Sequence, residues 1–418
     1  MSTLRIQELH LQNFRCFETL DVPFEPDVTV LFGENGSGKS AVLAALAMLL
    51  DLLQPTRTSG IGLDDVRDVR YIRDKLAFCE PAGACRLCCV ASMGDATDVS
   101  WGQSVSSTTQ LADANLSTAL KAMESARRPG RRWPLIAYYG PDRFSVHRRP
   151  GGRPRSFGRR SDGYADCLRP SAKEQPLWDW IEREIVDDTS SFSRGDPTRD
   201  LTAGVFDAML RGTPGLETIS YSYVMACPIA SFDDGTDARW SDLPDGYRVF
   251  MGMVGDIGRR TAILNSLDGA SAPLHVEGVV LIDELDLHLH PRWQRTVIRG
   301  LRAAFPKLQF IVTTHSPQVL SSVENRQVRL LSGHTWHQRD VFVEGRDTNA
   351  ILRDLMDTDD RDERGKHILS RLYAHIDDGN IEGAQTLLGE LRRRWGSIDP
   401  EIIRAEGFLD EERRFAGV

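Results

Sequence analysis

At 418 residues the chain is long enough for two or three domains, each with its own core. A formal net charge of −9, with 41% hydrophobic and 27% charged residues, is ordinary for a globular protein; it argues against a surface coated throughout in nucleic acid while permitting a local basic patch. No run approaches about twenty consecutive apolar residues, and the opening residues lack the apolar core of a secretory signal, so a cytoplasmic protein with reduced thiols is expected from the seven cysteines.

The first elements read as strands. Leu4 to Phe17 partly alternates apolar and polar residues, Leu20-Asp-Val-Pro-Phe24 follows, and Val28-Thr-Val-Leu-Phe32 is an apolar run. Gly33-Glu34-Asn35-Gly36-Ser37-Gly38-Lys39-Ser40 then leads into Ala41-Val-Leu-Ala-Ala-Leu46, so strand, glycine loop and helix come in the order of a phosphate-binding P-loop. In such a loop backbone N–H groups converge on the α- and β-phosphates, Lys39 reaches the β- and γ-phosphates, and the Ser40 hydroxyl ligates Mg²⁺. Residues 66–112 favour short strands with turns, an antiparallel β-subdomain. Within it Cys85-Arg-Leu-Cys88 has the spacing of half a zinc knuckle, but the companion half is missing. The run also reads as a strand using cysteine as a small apolar residue, which is the preferred reading.

Between Arg127 and Arg169 arginine dominates: Arg127, Arg128, Arg131, Arg132, Arg143, Arg148, Arg149, Arg153, Arg155, Arg159 and Arg160, interrupted by Pro-Gly turns around a short buried strand, Leu135-Ile-Ala-Tyr-Tyr139. Two readings stay open, a phosphate-contacting path for DNA or RNA along 127–160 and a solvated loop that balances the acidic remainder or docks an acidic partner. An amphipathic helix is expected from Glu174 to about Ile185, loop and helix from Arg194 to Pro214, and a strand at Ile219-Ser-Tyr-Ser-Tyr-Val224.

Two further strands carry chemistry. Gly278-Val-Val-Leu-Ile-Asp283-Glu284 ends in paired acids and Phe310-Ile-Val-Thr-Thr-His315 in a histidine. In a parallel sheet these two strands and the P-loop strand deliver their ends to one edge, where ligands of open α/β sheets bind. There Asp283 is placed to bind Mg²⁺, Glu284 to act as general base on the attacking water, and His315 to contact the γ-phosphate. ATP hydrolysis with Mg²⁺ is the expected reaction. Beyond about Asp340, Thr348–Met356, His367–Ile376 and Ile381–Leu391 have helical periodicity, with Gly379 between the last two as in a helix hairpin.

The stretch Asp283-Glu-Leu-Asp-Leu-His-Leu-His-Pro291, the opening Leu9-His-Leu-Gln-Asn-Phe-Arg-Cys-Phe17 and Thr313-Thr-His-Ser-Pro-Gln318 resemble the motifs of ABC-type ATPases of the RecF, SMC and overcoming-lysogenization-defect group. That resemblance implies that Arg15 joins the nucleotide contacts and that His288 and His290 belong to a loop crossing a dimer interface and not to a metal site. It also implies a signature segment at Leu243-Pro244-Asp245-Gly246, through which Leu243, Asp245 and Gly246 close over ATP held by a second subunit. Pro244 stands where the family has serine, which favours slow turnover and leaves a non-hydrolysing scaffold as an alternative. The absence of a long heptad segment excludes an SMC rod. The middle segments Pro134–Arg143 and Asp162–Pro170 and the tail from Gly345 resemble PtuA, the ATPase subunit of Septu and related retron-associated anti-phage systems; this implies an HNH-nuclease partner of the PtuB kind.

The fold class expected is α/β: a P-loop NTPase of ABC-ATPase type with a mixed sheet, an antiparallel β-subdomain and a helical insertion, followed by a C-terminal helical tail. The ATPase domain is expected over 1–335, divided into a P-loop lobe (1–60), β-subdomain (61–125), arginine-rich and helical insertion (126–240) and a lobe with signature, acidic strand and histidine (241–335). Residues 336–418 form a docking or oligomerisation region. The expected function is an ATPase whose ATP-dependent homodimer, or higher oligomer, regulates a partner nuclease in anti-phage defence. A RecF-like DNA-repair ATPase is the alternative. Glu344 with Asp360 and Asp362 also imitates a Toprim nuclease, a weaker reading because the acids fall in a polar loop.

Overall fold

In the computed structural model, the described residues are 3–54, 65–67, 69–71, 79–81, 83–106, 109–112, 115–143, 159–171, 174–190, 197–222, 224–225, 227–337, 341–356 and 361–416. The chain divides into two compact units, Met1–Ile351 and Leu352–Val418.

The first unit is built on a six-stranded sheet whose order runs Thr335–His337, Val328–Ser332, Val28–Gly33, Leu308–Thr313, Gly278–Ile282, Leu135–Tyr139. All neighbours pair in parallel except the first two. The apolar runs seen in sequence are fully buried in the P-loop, acidic and histidine strands, as parallel strands covered on both faces must be. Phe310 pairs with Val28 and Val280 with Phe310, so these three strands are contiguous and end together. Leu135–Tyr139 is the edge strand beside the acidic one.

A five-stranded antiparallel sheet, ordered Phe17–Pro23, Thr3–Phe14, Cys85–Gly94, Ala96–Ser106, Thr109–Ala112, covers the P-loop helix Lys39–Asp51. Trp101 is fully buried and donates its indole N–H to Leu49 O at 2.8 Å, serving one of the helix's last carbonyls. Buried Gln309 joins the two sheets: it accepts from Ile6 N and donates to the carbonyls of Ile6 and Glu25, each at 2.8 Å. Cys85 and Cys89 lie on the inward face of Cys85–Gly94, and burial raises both thiol pKa values, Cys85 to about 12.

The first unit also contains helices Leu116–Ala126, Gln175–Ser190 and Pro197–Gly212 and a three-stranded sheet, Leu216–Ser222, Cys227–Phe232, Asp237–Arg239. Helix Asp245–Leu264 is buried over most of its length and carries an ionic cluster. Asp256 accepts from Arg259 at 2.6 Å, from Arg260 at 2.7 Å and from the Tyr139 hydroxyl at 2.9 Å, and all four side chains are buried. Burial pushes the Asp256 carboxyl up, but the two guanidiniums outweigh it and hold the group well below the usual carboxylate range.

The second unit is a three-helix arrangement, Glu363–Asp377, Ile381–Trp395 and Pro400–Ala416, around Leu372, Ile376, Leu387, Leu391, Ile402 and Leu409. The expected hairpin turns at Gly379, whose φ is 69°; the third helix was not anticipated. Among the described residues no helix is long and apolar enough to cross a membrane.

Candidate active site

The glycine loop has the backbone its sequence requires. Gly36 and Gly38 have φ of 80° and 100°, which L-residues adopt poorly, and a Cβ on Gly38 would lie 2.2 Å from Phe17 Cζ and 2.7 Å from Cys16 Sγ. The turn Phe14-Arg15-Cys16-Phe17 therefore rests against the phosphate loop. Arg15 in that turn donates Nε to Asp65 at 2.9 Å.

Lys39 is buried and folds back on its own loop, donating Nζ to Gly33 O at 2.9 Å and Glu34 O at 2.8 Å. Burial lowers its pKa, while Asp283, Glu284 and Asp286 pull the other way. Ser37 Oγ is buried with no hydrogen-bond partner among the described residues. An orphaned hydroxyl and a lysine borrowing carbonyls in a loop of converging amides fit an anion seated there.

The acids arrive as the strand order predicts. Asp283 Oδ1 accepts from Ser40 Oγ at 3.1 Å and from Thr313 Oγ1 at 2.6 Å, so the P-loop hydroxyl and the acidic strand meet. Oxygen donors of this hardness fit Mg²⁺. Glu284 has φ of 48°, a left-handed conformation costing about 1–2 kcal/mol in a non-glycine residue. Its backbone is held at both ends: Glu284 N donates to Thr313 Oγ1 at 2.7 Å, and its carbonyl accepts from Arg143 Nη2 at 2.7 Å.

His315 is half-buried. Desolvation and then the Lys39 charge lower its pKa, which favours the neutral ring near pH 7. Asp286 fixes its loop by accepting from Thr314 Oγ1 at 2.6 Å and His315 N at 3.3 Å. Gln294 extends this frame, donating to Asp286 O and Leu289 O and accepting from Ser316 Oγ. His288 is exposed, and His290 Nδ1 caps the short helix Pro291–Gln294.

The structure thus gathers Lys39, Ser40, Asp283 and Glu284 at one sheet edge with the His315 loop beside them. Sequence reasoning missed Arg143, Asp286, Gln294, Thr313 and Thr314. The Thr-Thr pair directly before His315 and the third acid of Asp-Glu-Leu-Asp286 were the available signals.

Of the signature residues, Leu243 is buried in its own chain and Gly246 is pressed on the histidine loop, where a Cβ would lie 2.3 Å from His288 O. Pro244 and Asp245 are exposed, and Pro244 caps helix Asp245–Leu264 without a side-chain hydrogen bond.

Several described arginines of the basic segment are committed within the chain. Arg127 donates to Leu53 O at 3.0 Å and lies 4.4 Å from the Tyr164 ring centroid. Arg131 pairs with Asp95 at 3.0 Å and Arg132 with Asp268 at 2.7 Å, while Arg160 donates to Leu264 O at 2.7 Å. Arg143 is 3% exposed, so it cannot belong to a nucleic-acid surface, contrary to its place in the sequence reading. Arg148, Arg149, Arg153 and Arg155 lie outside the described residues. The Toprim reading finds no strand at 341–343, and Asp362 is a helix cap that accepts from Gly365 N at 2.8 Å; Asp360 lies outside the described residues.

Residues 233–321 match the family described as "AAA domain, putative AbiEii toxin, Type IV TA system", and 8–72 match a second AAA domain family. The chain is 24% identical to a retron Vc95 probable ATPase of Vibrio cholerae, over 79% of this chain and 74% of the relative. It is 30% identical to a retron Ec83 probable ATPase of Escherichia coli over 50% and 39%, and 36% identical to the Septu protein PtuA of Bacillus thuringiensis over 22% and 26%. The last two matches span well under half of those relatives. The SMC head domain of Thermotoga maritima aligns at a TM-score of 0.44 and 14% identity, over 81% of this chain and 100% of that one. The P-loop, paired acids and histidine meet at one sheet edge, and the chain is similar over most of its length to a probable ATPase of a retron and over shorter stretches to AAA domains and the Septu protein PtuA.

Proposed function

We propose that this protein hydrolyses ATP slowly and uses an ATP-dependent dimer to regulate a partner nuclease of the HNH kind in defence against phage. The observation that carries the hydrolytic part is the Asp283 carboxylate held between Ser40 and Thr313, with Glu284 next to it in a pinned left-handed turn. The defence role rests on relatives named for retron and Septu systems.

On nucleotide binding, Lys39 exchanges its two loop carbonyls for phosphate oxygens, and the amides at the start of helix Lys39–Asp51 face the same charge. Mg²⁺ held by Ser40 and Asp283 would supply neutralising charge at the phosphates. Glu284 orients the attacking water and accepts its proton; neutral His315 contributes a hydrogen bond to the γ-phosphate side.

The test of binding is Lys39→Ala, expected to abolish saturable ATP binding in a titration calorimeter and with it dimerisation and nuclease control. Retained micromolar ATP affinity in that variant would refute the loop's assignment.

Pro244 and Asp245 are the exposed start of the segment proposed to meet the second subunit's nucleotide. Pro244→Ser adds one hydroxyl donor, so the ATP-dependent dimer is expected to tighten by about two- to tenfold, the scale of one net hydrogen bond. Analytical ultracentrifugation with and without ATP measures this. An unchanged dimer constant together with unchanged turnover places the signature elsewhere.

A further inference from the structure

Arg143 is the most unusual cation near the site. It is 3% exposed, yet its hydrogen-bond partners among the described residues are carbonyls and not carboxylates: Nη1 donates to Gly140 O at 3.1 Å and Asp283 O at 2.5 Å, and Nη2 donates to Glu284 O at 2.7 Å. Taking a guanidinium out of water is costly unless its surroundings compensate. Burial lowers its pKa to about 10, and the charges of Asp283, Asp286 and Glu284 oppose that shift. A buried arginine spent on three carbonyls suits a task that needs a rigid fork of donors.

The local sequence explains how it gets there. Gly140-Pro141-Asp142-Arg143 closes a turn by Arg143 N–H donating to Gly140 O at 3.2 Å, with proline at the second position that such turns favour. The turn continues the edge strand Leu135–Tyr139, whose last carbonyl accepts from Asp283 N at 2.8 Å. The insertion therefore wraps the end of the acidic strand and aims one guanidinium into it.

We infer that Arg143 is a positioning residue for Glu284: its fork and the Thr313 hydroxyl pin the two ends of the Glu284 backbone, leaving only the carboxylate arm free to meet water. This rests on the hydrolytic reading of Glu284 above. Neither the carbonyls nor the guanidinium touches nucleotide in this role, so the effect belongs in turnover and not in affinity.

The experiment measures steady-state ATP hydrolysis and ATP affinity of the full chain, with its partner where hydrolysis needs it, for Arg143→Lys, Arg143→Ala and Glu284→Gln. Arg143→Lys keeps the buried charge and loses the fork; its kcat is expected to fall about ten- to a hundredfold, as loss of catalytic alignment does, with KM and ATP affinity within about threefold. Arg143→Ala should fall further and regain part of its kcat in guanidinium at tens of millimolar, a rescue that a merely structural role would not give. Wild-type kcat in Arg143→Lys overturns the inference, as does a loss of ATP affinity in step with kcat. If Arg143→Ala does not fold, the lysine variant alone decides. If Glu284→Gln itself turns over like the wild type, the hydrolytic reading has failed and the inference falls with it. If Glu284→Gln is dead and both Arg143 variants are normal, only the inference falls.

Discussion

Glu284→Gln is expected to lower ATP hydrolysis at least about a hundredfold, the scale of removing a positioned general base and equivalent to roughly 2.7 kcal/mol of barrier. The substitution keeps the side chain's shape, and the backbone contacts to Thr313 and Arg143 do not involve the carboxylate, so the left-handed turn persists. Lys39, Ser40 and Asp283 are untouched, and ATP should bind with about wild-type affinity. With the proposed ATP-dependent dimer, a variant that binds without hydrolysing should accumulate it, which light scattering reads as a lasting rise in mass after ATP is added. Phosphate release at the wild-type rate would remove Glu284 from the mechanism.

The second large effect lies in Asp256→Ala. The substitution strips the counter-charge from two buried guanidiniums, Arg259 and Arg260, and the acceptor from Tyr139. Breaking a buried pair by removing one partner costs about 3–5 kcal/mol because the remaining charge is left uncompensated. Chemical denaturation should show a loss of that size in the transition of the first unit, and a loss under about 1 kcal/mol would mean that the arginines find other partners. The sign with pH follows from the lowered carboxyl pKa. The group's contribution is full above the unfolded carboxylate value of about 3.9 and disappears as pH falls through the lower folded value, so acid sensitivity from this cluster is confined to pH below about 4.

The strands of the candidate site were legible because each must be buried on both faces and so reads as an unbroken apolar run ending in a candidate residue. Val28–Phe32 before Gly33, Gly278–Ile282 before Asp283 and Phe310–Val312 before His315 announce both the strand and its end. Their adjacency in the sheet was inferred from what ATP chemistry demands, and the registers agree. Arg143 was misread because eleven arginines in a glycine- and proline-rich context carry the composition of a surface, and composition does not distinguish the one that a tight turn sends inward. Arg127 and Arg160 were blurred for a similar reason: an arginine stacked on Tyr164 or Trp133 looks in sequence like any solvated one. Helix Asp245–Leu264 starts at the segment read as a signature, but Leu243 and Gly246 face their own chain, a matter of helix rotation that no pattern in so short a segment fixes.

The strand order also sets when the protein can finish folding. Val28–Gly33 is paired on both sides by strands that lie nearly three hundred residues later, Leu308–Thr313 and Val328–Ser332. At about 5–20 residues per second, a ribosome needs on the order of 15–60 s to supply the first of these partners. For that interval the glycine loop hangs from a strand with two open edges, and loop closure over such a span is a slow kind of contact to form. Closing the sheet around the strand that carries the glycine loop is therefore a late event in the life of the nascent chain.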